Sequence, residues 1–78
     1  MTLYSELQSL AAELSIGMRP VGDLRAWLED HVDEVVEADD ARLAELDGMA
    51  WTLLGELDRG DRDESSVRAE LGAVATLR

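Results

Sequence analysis

Leucine and valine recur at helical spacing along nearly the whole of this 78-residue chain and nowhere settle into the alternation of a strand, which confines the fold to the all-α class. The longest such run, Ala41 to Gly60, reads as the central helix. At about 100° per residue, Leu43, Leu46, Ala50, Leu53, Leu54 and Leu57 fall on one face and demand a core. The opposite side is small rather than charged: Ala41, Ala44, Gly48, Thr52 and Gly55 line up there, with Met49 and Trp51 on its flanks. A glycine inside a helix costs about 1 kcal/mol relative to alanine. Two on one side predict close approach by another backbone, either a helix of the same chain or a second subunit. Ala44, Gly48, Trp51, Thr52 and Gly55 are therefore the candidate interface.

Three further helices follow from the same reasoning. Thr2 is a cap for a helix over about residues 3–16, whose stripe is Leu3, Leu7, Leu10, Ala11 and Leu14 and whose stop is Gly17. Tyr4 lies at the edge of that stripe, with its hydroxyl expected in water. Pro20 opens a second helix over about 21–37, with Val21, Leu24, Leu28, Val32 and Val35 inward and Val36 at the border. Asp39 or Asp40 caps the central helix (about 40–59), which ends at Gly60. Asp63 or Ser65 then caps a last helix over about 64–76, with Val67, Leu71 and Val74 inward and Glu64, Arg68 and Glu70 toward water. The expectation is a small four-helix bundle with short connections, one domain over residues 1–78.

A core this thin, with no cysteine to staple it, favours oligomerisation, and a homodimer is expected. Eighteen acidic residues against seven basic ones give a net charge of −11. Such a chain is repelled by nucleic-acid backbones and anionic lipid and attracted to basic protein surfaces, although acidity also serves plain solubility. No run approaches the roughly 18 apolar residues of a membrane span, and the N-terminus lacks a secretory signature, so a cytoplasmic location is expected.

The densest charge lies on the second helix and the turn after it, where Asp30, Asp33, Glu34 and Glu37 form the candidate acidic partner surface. Like charges four residues apart cost about 0.2–0.5 kcal/mol each in an isolated helix, which a basic partner would relieve. Trp27 and His31, also four apart, are the candidate aromatic rim: an indole platform beside an imidazole that titrates near neutrality, or simply the edge of the core with His31 bonded to Asp30 or Glu34. The order His31-x-x-Glu34 reverses that of di-iron bundles and has no second histidine. Asp61-x-Asp63-x-Ser65 starts like a calcium loop, but Ser66 stands where glycine is required and Gly72 where the last glutamate belongs. With no phosphate loop and no nucleophile beside a base, no catalytic, cofactor, metal or small-molecule site is expected. The reading is a non-catalytic protein–protein interaction module; the alternative is an acidic inhibitor, immunity-like or antitoxin-like, that binds a basic partner.

Overall fold

In a computed structural model that describes residues 2–76, the helices are α1 (Leu3–Ser15), α2 (Val21–Asp30), α3 (Val32–Ala38), α4 (Ala41–Arg59) and α5 (Glu64–Thr76). The all-α class holds, with five helices in place of four. Local chemistry fixes most of the boundaries. The Thr2 hydroxyl accepts the Ser5 N–H at 3.1 Å, and one Asp40 carboxylate oxygen accepts the N–H groups of Arg42 and Leu43. Asp63 caps α5 by accepting the Ser66 N–H at 2.8 Å. At the other ends, Gly17 and Gly60 both adopt φ of +80°, where a side chain is strained. Beyond each glycine the chain folds back: Met18 N–H donates to Glu13 O and Asp61 N–H to Glu56 O, both at 2.9 Å, consuming carbonyls that the helix leaves unpaired.

The single helix expected over 21–37 is interrupted at His31, whose φ of −116° and ψ of 15° leave the helical region. The Trp27 carbonyl is shared at this point. It accepts the His31 backbone N–H at 3.1 Å and also the ring Nδ1 at 2.7 Å. A side chain that bonds back to the carbonyl four residues earlier competes with continued helix. Periodicity cannot show this, because neither glycine nor proline marks the spot. The break also redirects the apolar face: Val35 reaches the core, but Val32 is 48% exposed and Val36 76%.

Buried side chains from all five helices meet in one cluster, which includes Leu7 and Leu14 of α1, Leu24 and Leu28 of α2, Leu43 and Leu54 of α4, and Val67 and Leu71 of α5. Each fully buried leucine or valine contributes about 1.5–3 kcal/mol relative to leaving it exposed. The central position expected of the helix that follows Asp40 is observed, since α4 packs against each of the other four. Tyr4 packs its ring at the core edge, as the stripe implies, with the Arg42 guanidinium 4.7 Å from the ring centre. One expectation is corrected here. Arg68 does not stay toward water but reaches across to α1, where its Nη1 donates to the carbonyls of Leu14 and Arg19.

Candidate functional site

Two concave regions flank the break at His31. The larger, about 640 Å³, runs between α1 and α2 and is lined by Glu6, Leu10 and Glu13 on one side and Asp23, Trp27 and Asp30 on the other. The stacked rings of Trp27 and His31 form part of its wall, with centroids 4.1 Å apart and planes 16° from parallel. Because a carbonyl only accepts, the bond to Trp27 O requires a proton on Nδ1 of His31. The expected bond from His31 to Asp30 or Glu34 is thus replaced by one to the backbone. Arg19, from the α1–α2 connection, lies in the same groove, paired with Glu13 and with Asp23.

The second concavity, about 380 Å³, separates α3 from α4 and includes Val35, Val36, Asp39, Asp40, Ala44 and Asp47. One oxygen of Asp47 is buried there without a hydrogen-bond partner among the described atoms. Burial pushes the Asp47 carboxyl above the usual carboxylate range. The folded state therefore holds this proton more tightly than the unfolded chain. Its contribution is most favourable below the unfolded value of about 3.9 and is lost as pH rises through the folded value. Asp47→Asn removes that dependence. Its Tm is expected to fall less than that of the native chain as pH is raised from about 4 to about 6, and superimposable profiles would refute the assignment.

Ion pairing is uneven over the surface. Among the described residues the salt bridges use Arg19, Arg25, Arg59, Arg62 and Arg68, and none of their acceptors lies between Glu29 and Asp47. Residues 26–41 contain Glu29, Asp30, Asp33, Glu34, Glu37, Asp39 and Asp40 and no arginine. Val32 and Val36 are exposed among these carboxylates, Val36 at the mouth of the α3–α4 concavity, on a helix whose main support is α4.

Of the residues singled out from sequence, Trp27, His31 and Asp30 come together in the α1–α2 groove. Asp33, Glu34 and Glu37 are exposed on α3, outside it. Ala44, Gly48 and Thr52 are exposed on α4, whereas Trp51 is half-buried against the core. A Cβ at Gly48 would meet nothing within 4 Å, and one at Gly55 would touch only the Arg59 guanidinium at 3.4 Å. Within the chain, then, no helix approaches α4 closely at Gly48. Sequence reasoning passed over Glu6, Glu13, Arg19, Asp23 and Asp47. The first two and the pair Asp23/Asp30 were readable, since each pair is spaced by seven residues and so returns to the same side of its helix.

Among the described residues, no three or more histidine, aspartate or glutamate side chains form a group that could hold a metal ion, and no helix is long and apolar enough to cross a membrane. What the fold and site define is an all-α protein with an acidic, partly apolar surface. No known family matches the chain, and neither a curated protein nor a solved structure matches it.

Proposed function

We propose that this protein acts by binding, as a small acidic interaction module without a catalytic centre, and that its partner is a protein with a basic surface. The observation that carries this reading is the run from Glu29 to Asp40: carboxylates with no arginine partner among the described residues, surrounding the exposed valines Val32 and Val36. An apolar centre ringed by charge suits a docking face, and complementary charge speeds and selects the encounter. Self-pairing through this face is disfavoured, because a two-fold contact sets each acidic patch against its own copy.

The test compares capture by the native chain with capture by the triple variant Asp33→Asn/Glu34→Gln/Glu37→Gln, at low and high salt. The expected result is a basic protein whose affinity falls about tenfold or more in the variant and declines with ionic strength. Binding indifferent to both changes would overturn the reading.

A homodimer through α4 is the second reading, favoured by the open approach to Gly48 beside exposed Ala44 and Thr52. That surface adjoins the acidic run at Ala44, which shares a concavity with Val36, Asp39 and Asp40. Light scattering on the native chain at micromolar concentration decides it, with a dimer mass expected and a folded monomer counting against it.

A further inference from the structure

We infer that the end of the α1–α2 groove farther from the connecting turn seats an arginine side chain of the basic partner; the inference rests on the binding reading above and assigns that partner a contact. The groove already contains a worked example of such a seat. Arg19 leaves the α1–α2 connection and turns back between the helices, where it pairs with Glu13 of α1 through Nε and with Asp23 of α2 through Nη1 at 3.4 Å. One carboxylate from each helix holds one guanidinium.

A second carboxylate from each helix lines the other end, where no arginine among the described residues joins them. Glu6 precedes Glu13 by seven residues and Asp30 follows Asp23 by seven. Seven residues are close to two turns, about 10.5 Å along a helix, so both return to the groove side, where both line it. The connection joins the Glu13 end of α1 to the Asp23 end of α2, which leaves Glu6 and Asp30 together at the end away from it. No arginine pairs with either among the described residues: Arg25 is committed to Asp58, and Arg42 lies over Tyr4.

Between the two carboxylate pairs lie Leu10 and the indole of Trp27, the latter backed by His31. An arginine needs both chemistries: apolar surface for its methylenes and an aromatic ring or carboxylate for its planar head. The groove is open to solvent and has a volume of about 640 Å³, room for an arginine side chain entering from outside. Among the described residues, Arg19, Arg25, Arg42, Arg59, Arg62 and Arg68 all have acceptors or a ring of their own, which makes them poor donors from a second copy of this chain; Arg78 lies outside the described residues. The donor assigned here is the different, basic protein of the binding reading.

The test is an NMR-followed titration with an end-blocked tetra-arginine peptide, using tetra-citrulline as the neutral isostere. Tetra-arginine is expected to shift the Trp27 indole and His31 amide signals, and tetra-citrulline to leave them in place. Glu6→Gln/Asp30→Asn should weaken binding about tenfold. Asp33→Asn/Glu34→Gln, which removes the same charge outside the groove, should weaken it by less than about threefold. Arg19→Gln vacates the first seat and should strengthen binding several-fold over the charge-matched Arg59→Gln.

Equal losses in the two double variants would reduce the effect to attraction by net charge and overturn the seat. Shifts confined to Val32 and Val36, with the larger loss in the Asp33/Glu34 variant, would also overturn it while leaving the basic-partner reading standing. Absence of any shift would remove the arginine seat, and the capture experiment then judges the binding reading alone.

Discussion

Replacing Arg68 with methionine is expected to lower the unfolding free energy by about 2 kcal/mol, a large share of the roughly 4–12 kcal/mol available to a domain of this size. Arg68 ties the two ends of the chain together. Its Nη1 donates to Leu14 O at 2.6 Å and to Arg19 O at 2.9 Å, and its Nη2 donates to Glu64 at 2.9 Å. Leu14 O lies in the last turn of α1, where it also accepts the Gly17 N–H at 3.1 Å and where the dipole favours a cation. Only about a fifth of the Arg68 side chain is exposed (22%), so water replaces these bonds incompletely. Methionine keeps most of the apolar stem and removes the donors. Lysine restores charge but not the planar fork that spans two carbonyls, and Arg68→Lys should recover about half of the loss. Urea unfolding followed by circular dichroism measures this as a lower midpoint at unchanged slope. A change below about 0.5 kcal/mol would show the contacts to be without net effect.

The features legible in the sequence were those that a helix settles within its own few residues. Thr2, Asp40 and Asp63 cap because their oxygens reach N–H groups two or three positions on. Gly17 and Gly60 stop helices because the required φ is costly for other residues. What stayed hidden depends on a side chain choosing between partners. His31 had Asp30 before it and Glu34 three residues on, yet its ring bonds the Trp27 carbonyl, at the point where one expected helix divides into α2 and α3. Arg68 bonds carbonyls 54 and 49 positions away, which no local pattern encodes.

The candidate site divides along the same line. Trp27 and His31 could be paired by spacing, and their stacking at 4.1 Å agrees with that. That they share a groove with Glu6 and Arg19 depends on how α1 lies against α2. The exposure of Val36 follows only from the break, since on an unbroken helix it borders the buried face.

Gly72→Leu is expected to destabilise the fold by about 2–3 kcal/mol, although leucine is much the better helix former. The reason is the crossing of α5 over α1, the most extensive helix pair in the structure. A Cβ at Gly72 would stand 2.9 Å from the Cβ of Ser15 and 3.3 Å from its hydroxyl. The Ser15 Cβ is placed by backbone and cannot swing aside, and its hydroxyl already donates to Ala12 O at 2.7 Å. The helices must therefore separate, loosening Leu14 and Leu71 on either side of the contact. Gly72→Ala carries the same clash with a smaller group. It gains about 1 kcal/mol in propensity against an overpacking cost of about 1–3, for a net loss near 1 kcal/mol. Gly48→Ala makes the same chemical change where nothing stands within 4 Å, and should raise stability by about 0.5–1 kcal/mol. Ser15→Gly closes the argument as a double-mutant cycle: its cost in the native background should shrink by about 1 kcal/mol beside Gly72→Ala, because it removes the atoms that collide. If Gly72→Ala stabilised the protein as Gly48→Ala does, with no coupling to position 15, the α1–α5 crossing would not be the close contact described.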